Sequence, residues 1–123
     1  SMQRPQEEIE WHFERFCELI QKMQDERTKI SLMEITYKVR VRKGHKYWKI
    51  FIDEEEYVPW LNENTVQRAG IFGFVRRKDG AIFRAASYKS PETRTKSAIR
   101  GYVYDPNPEE YFTEYGIIYA EGT

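Results

Sequence analysis

"EITYKVRVRKGHKYWKIFID", Glu34 to Asp53, is the stretch whose reading decides the fold. Ile35, Tyr37, Val39 and Val41 alternate with Thr36, Lys38, Arg40 and Arg42, a period of two that belongs to a β-strand with one apolar face and one basic face. The break at "KGHK", centred on Gly44, turns the chain into a second strand from Tyr47 to Ile52. Residues 34–52 are therefore expected to form a first antiparallel hairpin, and its apolar face needs a cover.

The cover lies upstream. Residues 5–27 repeat at 3.6 rather than 2: Ile9, Phe13, Phe16, Cys17, Ile20 and Met23 fall in one stripe, while Glu7, Glu10, Glu14 and Glu18 lie elsewhere. Pro5 suits the first helical position, and Glu7 and Glu8 favour the positive end of the helix dipole. Cys17, the single cysteine, belongs to the stripe and reads as a buried, inert thiol. Trp11 points almost opposite the stripe, and because large aromatics are enriched at interfaces it suggests a homo-oligomer formed through that face.

Downstream, "DEEEYVPWLNENTVQRAG" interrupts the alternation and reads as a solvated loop pinned to the core by Val58, Trp60 and Leu61. A second hairpin follows over residues 71–88, with Asp79-Gly80 as its turn. Alternation puts Phe72, Phe74 and Arg76 on one face of its first strand and Ile71, Gly73 and Val75 on the other. In its second strand Ala81, Phe83, Ala85 and Ser87 share a face, opposite Ile82, Arg84 and Ala86. Residues 90–104 read as a basic helix or turn followed by a strand, with Ser90 as cap and Pro91 at the first position of a short helix over 91–99. Residues 105–123 form an acidic C-terminal tail ending in the strand-like "YGIIYA". The expected fold is one α+β domain, a long N-terminal helix packed on an antiparallel sheet of four or more strands built from two hairpins.

The formal net charge is zero but unevenly placed. Residues 1–33 carry seven acids and five bases (−2), residues 34–100 eight acids and fifteen bases (+7), and residues 101–123 five acids and no base (−5). Overall neutrality argues against a protein that coats duplex nucleic acid, whereas the basic middle is suited to a smaller anion. With no apolar run of about 18 residues and no signal-peptide pattern, a soluble, intracellular chain without membrane contact is expected. The two histidines, His12 and His45, stand at no metal-binding spacing, and there is no Walker-type loop or dinucleotide glycine pattern. No catalytic residue, metal or cofactor is assigned. Glu54, Glu55 and Glu56 read as a solvated acidic run.

The segment that concentrates chemistry is "AASYKSPETRTKSAIRGY", residues 85–102, in which Glu92 is the one carboxylate among four cations. Ser87 and Ser90 offer hydroxyls, the amides of a helix starting after Ser90 would face an anion, and Lys89, Arg94, Lys96 and Arg100 supply charge. Phe74, Phe83 and Arg84 complete the candidate ligand-binding set, as rings and a guanidinium suited to stacking a nucleobase and holding its phosphate. The bland alternative is a solvated basic turn beside core phenylalanines.

The span from "KYWKIFI" through "IFGFVRRKDGAIFRAASYKSPETRTKSAIRGYVYD" resembles small proteins encoded by tailed bacteriophages. Their pattern is an aromatic-Lys-Ile strand, a Phe-Val strand, an Asp-Gly-type turn, a "KAASxKxP" stretch and an Arg-Gly before a final strand. Tyr47, Lys49, Ile50, Phe74, Val75, Gly80, Ala85, Ala86, Ser87, Lys89, Pro91, Arg100 and Gly101 match it, and Arg84 replaces the usual Lys. The resemblance covers about half the chain. It implies a viral origin, a non-enzymatic accessory role and a location in the cytoplasm of the infected bacterial host. By analogy with phage proteins that sequester the nucleotide signals of bacterial immunity, the leading expectation is a sponge for a small phosphorylated nucleotide, of the cyclic nucleotide or cyclic ADP-ribose type. The alternatives are a single-stranded nucleic-acid-binding protein using Lys38, Arg40 and Arg42, and a protein-interaction inhibitor of a host or phage enzyme.

Overall fold

The first turn of helix α1, Gln6–Ile30, carries Glu7 and Glu8, and its last turn carries Arg27 and Lys29, so both ends complement the helix dipole. The computed structural model describes residues 4–32 and 34–118. The helix runs three residues beyond the expected end, and the Ser31 amide closes it on the Thr28 carbonyl at 3.2 Å. Ile9, Phe13, Phe16 and Ile20 of the expected stripe are buried, Cys17 and Met23 are partly buried against the same core, and Gln24 is buried beside them. Trp11 is exposed on the opposite face.

Five antiparallel strands form one meander: β1 Ile35–Lys43, β2 Tyr47–Val58, β3 Glu63–Arg76, β4 Ala81–Phe83 and β5 Gly101–Tyr102, in the order β1-β2-β3-β4-β5. The chain is thus α+β, one long N-terminal helix on an antiparallel sheet. The apolar stripe of α1 packs on Trp48, Ile50, Ile52, Phe72, Val75 and Ile82 of one sheet face, with Tyr37, Val39 and Val41 at the margin. Phe13 stacks on Trp48 at 4.3 Å between ring centroids. Polar groups of α1 also cover the outer edge of β1. The Gln21 side chain donates to the Tyr37 carbonyl at 3.0 Å and accepts from the Val39 amide at 2.8 Å, groups that an edge strand would otherwise leave open.

Three expectations are corrected. The solvated loop over residues 53–70 is instead the distal half of a long β2–β3 hairpin. Glu54 faces Arg68 and Glu55 faces Val66 in the ladder, and Tyr57 donates to Asn62 at 2.7 Å across the end. Trp60 and Leu61 do not pin it to the core; they stand exposed at its tip. Phe72 and Phe74 do not share a face, because the register passes from Ile50↔Gly73 to Phe51↔Ile71 and leaves Phe72 as an extra, bulged residue. Phe72 consequently joins the helix-side core, and Ile71 and Phe74 join the outer one. Gly73, next to the bulge, lets Ile117 approach closely, since a Cβ there would collide with that side chain.

The acidic tail is not a tail as far as residue 118. A 3-10 turn, Pro108–Tyr111, leads into a small hairpin of β6, Phe112–Thr113, and β7, Gly116–Ile117. Phe112 and Ile117 are buried in the helix-side core. The remainder of the expected tail, 119–123, including the end of "YGIIYA", lies outside the described residues. Gly101 is required where Tyr111 crosses it, since the ring lies where a Cβ would be, and Tyr111 donates to Asp105 at 2.6 Å.

The β3–β4 turn is closed by the bidentate Arg76–Asp79 pair, at 2.7 and 3.1 Å, with Gly80 at φ +78°. Burial pushes the Asp79 carboxyl up, but the Arg76 guanidinium and the Ala81 amide outweigh it and hold the group below its ordinary range.

Phe16→Ala should cost about 3–5 kcal/mol through lost burial and the cavity left behind. Trp11→Ala should stay within about 0.5 kcal/mol of wild type, as surface changes do. Urea unfolding of both variants checks the pair. Burial, then the charges of Glu14 and Glu18, push the Cys17 thiol up to about 12. At pH 8 Cys17, partly buried in the stripe, should therefore react with a thiol-specific chromogenic disulfide roughly tenfold or more slower than a free cysteine, and at the ordinary rate in denaturant.

Candidate functional site

On the face of the sheet away from α1, β1 presents Lys38, Arg40 and Arg42, and β2 presents Tyr47, Lys49, Phe51 and Asp53, because the opposite residues of each strand are taken by the helix-side core. A second, smaller core sits on this outer face: Phe74, Ala81, Phe83 and Ala98, with Tyr47, Ile71, Ala85 and Tyr102 packed against it. Residues 84–100 form the strap that completes it.

The strap begins with a tight turn, not with a helix. Ala85 bridges Pro91, the Glu92 amide donates to the Arg84 carbonyl at 2.8 Å, and the Ala86 amide donates to the Ser90 carbonyl at 2.9 Å. Ser87 Oγ accepts from the Lys89 and Ser90 amides, each at 3.2 Å, and lies 3.0 Å from Ser90 Oγ. The short helix expected over 91–99 does not form: those residues are bends and turns, and the Arg94 amide is taken by the Glu92 carboxylate at 2.8 Å. There is accordingly no helix start to meet an anion, and Lys96 and Arg100 do not stand one helical turn apart. Proline at 91 and the serine side-chain bonds hold the backbone in the turn instead.

What the turn does is place Tyr88 and Lys89 over β2. The Tyr88 ring lies 5.5 Å from Phe51, and Lys49 Nζ sits 4.3 Å from the Tyr88 centroid and 5.7 Å from that of Phe74. Between this turn and the β1–β2 turn is a groove of about 400 Å³, lined by Arg42, His45, Lys46, Tyr47, Lys49, Phe74, Lys89 and Pro91 together with Gly44. Four cations and two aromatic rings converge there, and no carboxylate lines it. Desolvation, then the neighbouring charges of Arg42 and Lys89, lower the Lys49 ammonium below its usual range. The groove is crowded with positive charge that an anion would relieve.

Of the residues singled out from the sequence, Phe74 and Lys89 line this groove. Phe83 is 2% exposed and lies beneath it, edge-on to Tyr47 at 5.8 Å with the Arg76 guanidinium 5.2 Å from its ring centre. Arg84 points to the other side and donates to the Ile117 carbonyl at 3.1 Å. Ser87 and Ser90 spend their hydroxyls within the turn. Arg94 is exposed beside Glu92 at 3.6 Å, Lys96 is exposed, and the Arg100 amide is tied to the Ile82 carbonyl; none of the three lines the groove. Arg40 is held by Asp53 in a bidentate pair at 2.7 and 3.1 Å.

Arg42 was assigned from the sequence only to the single-stranded nucleic-acid alternative, and the groove residues given no binding role there are His45, Lys46, Tyr47, Lys49 and Pro91. The signal for them was present in the basic face of the first hairpin, but it needed the strap to turn that face into a concavity. His12 lies at 3.8 Å from Glu8 on α1, and among the described residues no cluster of three metal-binding side chains occurs.

No curated protein and no solved structure matches the chain. The model of a family of unknown function, DUF7717, matches residues 1–114, and the chain belongs to that family.

Proposed function

We propose that the protein binds a small phosphorylated nucleotide in the groove between the β1–β2 turn and the 85–92 turn, and acts by holding it rather than by transforming it. The observation that carries this reading is the convergence of Arg42, Lys46, Lys49 and Lys89 around Tyr47 and Phe74 without a carboxylate in the lining. Cations of that number suit one or two phosphates, and the half-buried Tyr47 ring suits contact with a base or ribose, with Phe74, buried in the outer core, as the floor beneath. The resemblance to tailed-phage proteins supports a sequestering role: an accessory protein that removes a nucleotide signal of host defence needs affinity and abundance, not turnover.

Single-stranded nucleic acid is the weaker reading. A strand tracked along β1 would need Arg40, whose guanidinium is engaged by Asp53, and stacking faces such as Phe51, which Tyr88, Lys49 and Arg40 already cover.

Calorimetric titration with cyclic di- and trinucleotides, cyclic ADP-ribose isomers and mononucleotides should give a saturable heat with at least one of them. No heat from any, at micromolar protein, overturns the proposal. With the ligand found, Lys49→Met and Lys89→Ala should each weaken it roughly tenfold to a hundredfold, about 1.5–3 kcal/mol for a charged contact. Arg94→Ala should leave it unchanged. Affinity should fall with salt as for one or two phosphates; a slope matching many contacts, at about 0.7 per phosphate of a single strand, favours nucleic acid instead.

A further inference from the structure

A second basic concavity adjoins the first. It measures about 500 Å³ and is lined by Gln6, His45, Lys46, Arg77 and Lys78, so His45 and Lys46 belong to both. Each volume is within the range of roughly 300–1,000 Å³ typical of small-molecule sites. Neither lining contains a carboxylate, whereas two other concavities among the described residues include Glu10 and Glu14, or Glu54 and Glu114. Together the adjoining pair presents Arg42, Lys46, Lys49, Lys89, Arg77 and Lys78.

The ridge between them is built firmly. The Gly44 amide donates to the Tyr47 carbonyl at 3.0 Å and the Arg77 amide to the Lys46 carbonyl at 3.0 Å. Arg77 Nη1 donates to the Gly44 carbonyl at 2.8 Å, and Gln6 Nε2 to the Arg77 carbonyl at 2.9 Å. A Cβ at Gly44 would come within 2.8 Å of the Tyr47 carbonyl oxygen, so the turn admits little change there. Lys46 is thus carried on a fixed divider between two basic hollows. The rings, Tyr47 and Phe74, line only the first.

The geometry points to a ligand with two phosphates set apart, a dinucleotide whose first unit lies against Tyr47 among Arg42, Lys49 and Lys89 and whose second phosphate crosses Lys46 to reach Arg77 and Lys78. This inference rests on the nucleotide reading and narrows it. A single phosphate can satisfy the first groove but leaves the second unused, whereas a second one gains new charged contacts from a divider already held in place.

The test compares pApA, pGpG and pUpU with AMP, GMP and UMP by calorimetry, using the wild-type chain, Lys78→Ala and Lys89→Ala. At least one dinucleotide should bind tenfold or more tightly than its mononucleotide. Lys78→Ala should remove most of that advantage without altering mononucleotide affinity, while Lys89→Ala should weaken both. Circular dichroism melting of the variants, with unchanged midpoints, separates a contact effect from a folding one. Dinucleotides that bind no better than mononucleotides, or an advantage that survives Lys78→Ala, overturn the two-hollow inference and leave the single-groove reading standing. Failure of all these probes to bind overturns the two-hollow inference, and failure of the cyclic nucleotides as well overturns both.

Discussion

The stack of Phe13 on Trp48, at the centre of an α1 stripe that runs from Ile9 to Ile20, determines which face of the sheet meets the helix. Because side chains alternate along a strand, that choice settles the destination of every other residue in β1 and β2. With Tyr37, Val39, Val41, Trp48, Ile50 and Ile52 turned toward α1, Arg40, Arg42 and Lys49 have only the outer face to occupy. A slip of one residue in either strand would send the cations into the core, where an unpaired charge is strongly unfavourable. The basic face is thus a consequence of the same register that builds the core.

A flat basic face would bind ions weakly and without choice. The strap over residues 84–100 changes its shape. Ala81, Ala85 and Ala98 are small enough to let the strap lie against Phe74 and Phe83, forming a second core on the outer side. The serine-locked turn at 87–90 then extends beyond that core and brings Lys89 beside Lys49 and Arg42. The lowered Lys49 ammonium is the electrostatic trace of this arrangement, with desolvation first and like charges second. Folding the strap against the sheet moves cations closer together than they would be in the open chain. The stability for that comes from apolar contacts beneath, not from the charged groups themselves.

Much of the frame was legible along the chain. The 3.6 stripe of α1, the strict alternation of β1 and the Asp79-Gly80 turn each depend on neighbours within a few residues, and each forms as read. Features that depend on distant partners were not legible. The acids at 54–56 read as a loop because their compensation lies across the hairpin, with Arg68 at 3.5 Å from Glu54 and Asn64 at 3.5 Å from Glu55. The bulge at Phe72 is invisible to alternation, since it exists only in the pairing of β3 with β2, where Ile50↔Gly73 gives way to Phe51↔Ile71. Residues 85–102 concentrate charge, but neighbours in sequence do not converge: Arg94 and Lys96 turn to solvent, and Lys89 shares the groove with Arg42 and Lys49, more than 35 residues away.

The zero net charge takes on a different meaning once the layers are known. Glu10, Glu14 and Glu18 are exposed on a helix that covers one side of the sheet, while the cations of β1, β2 and the 85–92 turn occupy the other. The Asp105 carboxylate, from the acidic C-terminal region, is turned inward to the Tyr102 amide and the Tyr111 hydroxyl, at 2.9 and 2.6 Å, and so does little to neutralise the groove. Opposite charges therefore cancel in the total but not at the surface. Over a Debye length of about 8 Å at physiological salt, an approaching anion responds to the groove rather than to the sum. The sheet thus keeps the acidic face of α1 on one side and the cations of the groove on the other, so the field at the groove stays positive in a chain of zero net charge.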